Sequence, residues 1–125
     1  MINYRAWDLE HQYMEYTNKN LSVTFSDNDI IVIDNSSLSS ACMMMEKYDL
    51  MQSSQLFDKN NKEFYDKDII EQISTGKICF IEYKKGCFFI NDGKELTNLH
   101  KNYTNYTIIG NIFENEELLD LMRFN

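Results

Sequence analysis

At 125 residues, with 43% hydrophobic residues, eight Tyr, eight Phe and one Trp, the chain suits one domain or two small subdomains sharing a core, and it is too apolar for disorder. The net charge of −8 is unevenly spread: residues 1–45 carry six acids and two bases, 46–72 seven and four, 73–113 three and five, and 114–125 four and one. That balance argues against a broad nonspecific DNA-binding face, which needs clustered Lys and Arg to displace counterions.

In chain order, Ile2 to Asp8 reads as a first strand, with a turn over Leu9-Glu10-His11 and a return strand from Gln12 to Thr17. Asn18-Lys19-Asn20 turns the chain again. Leu21, Val23 and Phe25 then alternate with Ser22 and Thr24, the period-two pattern of a half-buried strand. Ser26-Asp27-Asn28-Asp29 is a turn before a strand from Ile30 to Ile33, so the region reads as a β-meander. Asp34 to Ser40 is the weakest segment and the expected hinge or mobile loop. Ala41 to Tyr48 reads two ways: its Met-rich start has good helix propensity, while an extended lead into Leu50 is the alternative.

Leu50 to Ile70 reads strand, turn, strand, turn, strand. Leu50, Met51, Leu56 and Phe57 are its first apolar anchors, Asp58 to Lys62 and Asp66 to Asp68 its polar breaks, and Ile69-Ile70 its β-branched re-entry into a core. Ile78 to Tyr83 and Cys87 to Ile90 flank Lys84-Lys85-Gly86, the clearest hairpin in the chain. Both of its faces are apolar, which places it between layers or at an interface. Asn91 to Asn102 reads as a polar loop tethered by Leu96 and Leu99. Tyr103 to Phe113 reads as a final strand, with Gly110 marking a bulge. Glu114 to Met122 reads as a short amphipathic helix capped by Asn115. The expected architecture is all-β: an N-terminal β-meander subdomain over residues 1–45, packed with a small β-barrel subdomain of SH3-like kind over residues 46–125, closed by a short C-terminal helix.

Three stretches resemble the YopX family of small phage and prophage proteins. Tyr4-Arg5-Ala6-Trp7-Asp8 is similar to the family's opening FRAWD. Leu50, Met51, Gln52, Leu56, Asp58, Lys59, Asn60, Lys62, Glu63, Tyr65, Asp68 and Ile69 match its middle motif. Ile108 to Asn115 with Glu117-Leu118-Leu119 is similar to its closing VIGNIYENPELL. Where that family has TG, NG and EG turns, this chain has Ser54-Gln55, Asn60-Asn61 and Asp66-Lys67, and Glu116 stands in place of a proline. Asn61 tolerates a left-handed backbone at modest cost, but Gln55 and Lys67 do not, so either those turns differ or they carry strain. The resemblance favours the extended reading of residues 41–48. It implies a phage or prophage accessory protein of unknown biochemical activity in the host bacterial cytoplasm, and it brings no catalytic residues.

The residues themselves offer few sites. Cys42, Cys79, Cys87, His11 and His100 do not form a zinc pattern: seven residues separate Cys79 from Cys87, no CxxC occurs, and cysteines in that hairpin are read as small apolar residues. With no secretory pattern at Met1 to Asp8 and an apolar run of only Ala41 to Met45, the thiols are read as reduced, the protein as cytoplasmic, and no membrane contact is expected. Asp58 to Glu63 starts like a calcium loop, but Glu63 and Ile69 stand where glycine and a bidentate Glu belong. Asp66 and Asp68 lack a nearby His or nucleophile, and no phosphate loop or GxSxG is present. No enzyme, metal or cofactor is therefore expected.

Two candidate surfaces remain. Arg5, Trp7 and Asp8 form a candidate recognition motif, with the preferred reading a core Trp beside a surface Arg5–Asp8 pair. Lys77, Lys84 and Lys85 form a candidate nucleic-acid contact interleaved with aromatics, with solubilising turn lysines preferred. The expected function is a non-enzymatic protein-interaction module with a host or phage protein as partner and self-association as a further possibility. The alternative is a weak nucleic-acid-binding barrel.

Overall fold

The computed structural model describes residues 2–35 and 43–125, and the chain is mostly β. It divides into two compact units, Met1–Gln52 and Ser53–Asn125. The division falls inside one long strand rather than at 45/46, the boundary drawn from the sequence.

In the first unit the strands are β1 (Tyr4–Asp8), β2 (Tyr13–Tyr16), β3 (Leu21–Ser26), β4 (Asp29–Asp34), β5 (Met43–Met44) and the first half of β6 (Tyr48–Phe57). β1 is central, antiparallel to β2 on one side (Trp7 opposite Met14) and to β6 on the other (Trp7 opposite Asp49). A second sheet runs β3-β4-β5. The run of strands expected as a meander is present, but it divides between β2 and β3 into two hairpins. Ala6, Leu21, Val32 and Met45 are buried together, with Val23, Tyr48 and Leu50 packed around them. The extended reading of the Met-rich segment holds for Met43–Met44. The expected hinge, from residue 36 onward, and Cys42 lie outside the described residues.

In the second unit the rest of β6 pairs with β7 (Glu63–Tyr65), and a five-stranded antiparallel sheet follows. Its strands are β8 (Asp68–Gln72), β9 (Ile78–Lys84), β10 (Cys87–Asn91), β11 (Leu96–Asn98) and β12 (Tyr106–Asn111), in the order β11-β10-β9-β8-β12. Phe64, Ile70, Cys79, Ile81, Phe88, Ile90 and Leu99 form one buried cluster. The strand-turn-strand-turn-strand reading of Leu50 to Ile70 matches these elements.

Three departures have local causes. Asn91 to Asn102 is not all loop: Leu99 enters the core and seeds α1 (Leu99–Asn102), capped by the Asn98 side chain, while Leu96 on the edge strand stays exposed. Tyr103 to Asn105 forms a 3-10 turn before β12, so the last strand is shorter than Tyr103 to Phe113. Asn115 occupies the N-cap position of the C-terminal helix, where its carbonyl accepts from Leu118 N–H at 2.9 Å, but its side chain makes no capping bond. Its side chain instead accepts from the Asn111 N–H at 3.2 Å, and the helix over Glu116–Phe124 is 3-10. That contact explains Gly110, because a side chain there would collide with Asn115. The bulge at Gly110 is present, with the β8–β12 register shifting between Ile108 and Gly110.

The altered turns keep the glycine conformation without glycine. Gln55, Asn61 and Lys67 sit at φ of 65°, 62° and 69°. Side chains make these loops tolerable. Asp58 Oδ1 accepts from the N–H groups of Asn60 and Lys62, both at 2.9 Å, and its Oδ2 accepts from Ile108 N–H at 3.0 Å. Ser54 Oγ donates to the Phe64 carbonyl at 2.9 Å. Phe57, read as an apolar anchor, is exposed, because it follows the irregular stretch between Ser53 and Phe57.

Candidate functional site

Central placement of β1 decides the fate of the Arg5-Ala6-Trp7-Asp8 motif. A strand paired on both sides and covered on both faces buries every residue, and all four are buried. Trp7 is the expected core anchor. Arg5 and Asp8 are not a surface pair: Arg5 Nε donates to Met51 Sδ, 3.4 Å away on β6, and Asp8 turns to the β1–β2 loop. Alternation along five residues could not reveal this, because the covering partner strand β6 is over forty positions away.

Asp8 organises a polar cluster in the first unit. Its Oδ1 accepts from the N–H groups of Glu10 and His11 at 2.9 Å, and its Oδ2 lies 3.0 Å from His11 Nδ1. Burial pushes the Asp8 carboxyl up, but the donors from His11 and Glu10 outweigh it, and the net direction is downward. The bond to Asp8, and then its charge, raise His11. Tyr13 Oη donates to the buried Asp34 carboxylate, and burial followed by that bond raises the phenol. The sequence reading places His11 in a turn and rejects it as a metal ligand, without pairing it to Asp8. The Asp-x-x-His spacing is the signal that reveals its partner. Among the described residues, no group of three His, Cys, Asp or Glu side chains is placed to hold a metal.

In the second unit Asp66 and Asp68 serve the backbone. Asp66 Oδ1 accepts from Tyr83 N–H at 3.0 Å and Asp68 Oδ2 from Tyr65 N–H at 2.7 Å, so the Asp66/Asp68 pair closes a turn. The expected Lys84-Lys85-Gly86 hairpin is present: Lys84 pairs with Cys87, and Lys85 and Gly86 take φ of 50° and 80°, as a two-residue type I′ loop requires. One face of the hairpin is core, through Cys79, Ile81, Phe88 and Ile90. The other is half-covered through Phe80 and Phe89. Cys79 is buried, and desolvation pushes its thiol up to about 11, leaving it inert at neutral pH. Cys87, read as a packed apolar residue, is exposed because it flanks the turn.

Two of the three candidate lysines are ion-paired. Lys84 Nζ lies 2.7 Å from Glu82 Oε2, and Lys77 Nζ lies 3.8 Å from Asp92 Oδ2. Lys85 alone of the three makes no ion pair among the described residues.

At the β8–β9 turn, the end of β9 away from the Lys84-Lys85-Gly86 turn, the second unit holds a cleft of about 480 Å³ lined by Glu71, Thr75, Lys77, Ile78, Leu121, Phe124 and Asn125. Its wall depends on Asn125, whose side-chain amide accepts from Ile78 N–H at 2.9 Å and donates to the Ile78 carbonyl at 2.6 Å. The amide thus stands in for the strand that β10 ceases to provide after Asn91, and it holds the C-terminal helix against β9. Leu121 and Phe124 are exposed beside it, Phe124 by 72%. Nothing in the local sequence pairs position 125 with position 78, so the cleft was not legible beforehand.

A model of the family described as YopX protein matches residues 3–120. Protein EF1440 from Enterococcus faecalis is similar in structure, with a TM-score of 0.67 and 26% identity over 95% of this chain and 98% of that one. Protein yopX from Bacillus subtilis is similar in fold, with a TM-score of 0.68 and 22% identity over 94% and 95%. No curated protein matches the chain. Among the described residues, no helix is long and apolar enough to cross a membrane. With the family model spanning nearly its full length, this chain belongs to the YopX family.

Proposed function

We propose that this YopX-family chain is a phage or prophage accessory protein that works in the host cytoplasm as a non-enzymatic protein-interaction module. The observation supporting this is the cleft beside the C-terminal helix. It offers an apolar wall of Ile78, Leu121 and Phe124, with Glu71 and Lys77 also lining it. Apolar walls with a polar rim suit an apolar side chain presented by a partner protein. The ion pairing of Lys77 and Lys84 counts against the nucleic-acid alternative, since those charges are already compensated locally.

The test is a tagged pull-down from host lysate, with and without nuclease, comparing the wild-type chain with a Leu121→Asp/Phe124→Asp variant. A protein recovered in stoichiometric amount, insensitive to nuclease and lost with the variant, supports the reading. Recovery that vanishes with nuclease, or turnover by the purified protein lost on a single substitution, overturns it.

A further inference from the structure

The edge of β3 carries an inference independent of the cleft. In the β3-β4-β5 sheet, β3 is the terminal strand, and all six of its residues pair with β4. Two bonds set which backbone groups face which way. Asn35 N–H donates to the Asn20 carbonyl at 2.9 Å, in line with the β3–β4 register, and Met45 N–H donates to the Val32 carbonyl at 2.8 Å on the other side of β4. In an antiparallel ladder the hydrogen-bonded pairs alternate. Ser22, Thr24 and Ser26 therefore direct their N–H and C=O groups to β4, while Leu21, Val23 and Phe25 direct theirs outward. Among the described residues, no strand lies on that side of β3 in its sheet.

Exposed strand edges are normally protected by charged residues, proline or a bulge. β3 has none of these: its sequence is Leu-Ser-Val-Thr-Phe-Ser and its register with β4 is unbroken. Charge sits only beyond its ends, with Lys19 before it and Asp27 and Asp29 after it. A second β3 laid antiparallel about Val23 satisfies all three outward residues at once, Val23 opposite Val23 and Leu21 opposite Phe25. The same register carries Lys19 of each copy to the end that holds Asp27 and Asp29 of the other. We infer that β3 is a self-recognition edge, joining two copies of this chain through a continuous sheet in the order β5-β4-β3-β3-β4-β5 centred on Val23. The twofold arrangement keeps Leu21, Val23 and Phe25 of both copies on one face, and it covers Phe25, now 53% exposed.

The test measures mass in solution and amide hydrogen exchange on the full chain. The inference expects a dimer, with slow exchange at Leu21, Val23 and Phe25 that becomes fast on dilution, while Ser22 and Thr24 do not change. Phe25→Pro removes an outward N–H without touching the ladder to β4, and it should raise the dimer dissociation constant roughly tenfold or more, as loss of a backbone bond from each copy implies. Lys19→Glu should weaken the dimer about two- to fivefold, and adding Asp27→Lys should restore it, a rescue that does not depend on how well the proline variant folds. A monomer at high concentration, a dimer indifferent to both changes, or a dimer without alternating protection at these amides overturns the inference. Protection that appears only when an added extended peptide binds overturns it in favour of a foreign strand.

Discussion

The two units use buried carboxylates differently: in one they clamp turns, in the other they also meet groups that titrate. In the second unit Asp58 and Asp68 accept from backbone N–H groups, and their turns frame a core of seven buried side chains. In the first unit Asp8 and Asp34 also face His11 and Tyr13, groups that themselves ionise, beside the buried Ala6, Leu21, Val32 and Met45. Carboxylates bonded to the backbone act as loop clamps. Carboxylates bonded to an imidazole make a unit's stability depend on pH.

The largest expected effect tests the core difference. Phe64→Ala should destabilise the second unit by about 3–5 kcal/mol through lost transfer energy and a cavity. Residue-resolved hydrogen exchange should show that loss in the β8–β10 amides; an equal loss confined to β3 and β4 would contradict the division into units. Next is the clamp. Asp58→Ala leaves three N–H donors without their charged acceptor, one of them on distant β12, and should cost about 2–3 kcal/mol in urea unfolding. A cost below half of that would mean that water replaces the carboxylate without loss.

A smaller and opposite effect is expected at the left-handed turns. Gln55→Gly should stabilise by about 1 kcal/mol in thermal unfolding, because glycine takes φ near 65° without strain and its extra unfolded-state entropy offsets only part of the gain. Lys67→Gly should gain less, since the Lys67 ammonium lies 5.7 Å from the Phe113 ring centroid, an attraction that glycine removes. Loss of stability at Gln55→Gly would show that the side chain, not the backbone, dominates there.

The smallest effect is the pH dependence of the first unit. Asp8 is lowered in the fold, so its contribution is complete above the ordinary value of 3.8 and is lost as pH falls through the lower folded value. His11 is raised, so its contribution is complete below 6.5 and is lost as pH rises through the higher folded value. The pair therefore favours the fold most between 3.8 and 6.5. His11→Ala should remove the decline on the alkaline side, measured by exchange at the β1–β2 amides.

Much of this was legible in the chain itself. The Lys84-Lys85-Gly86 hairpin, the strand-turn pattern from Leu50 to Ile70 and the bulge at Gly110 follow from local rules, since turn chemistry and period-two alternation act over a few residues. The strain at Gln55 and Lys67 was an open alternative, and the fold retained the left-handed turns rather than replacing them. The cleft is hidden because Asn125 meets Ile78 across 47 positions, whereas the Asp8–His11 pair is carried by a local Asp-x-x-His spacing inside a predicted turn.

By itself, then, the sequence determined the all-β class, the positions of most turns and the YopX resemblance, because each depends on residue type and short spacing. Tertiary structure alone decided that Arg5 and Asp8 are buried, that Leu99 rather than Leu96 reaches the core, that Asn125 completes a sheet, and that β3 ends one. Each of those depends on which distant strand lies alongside, and on which backbone groups that pairing satisfies or leaves open.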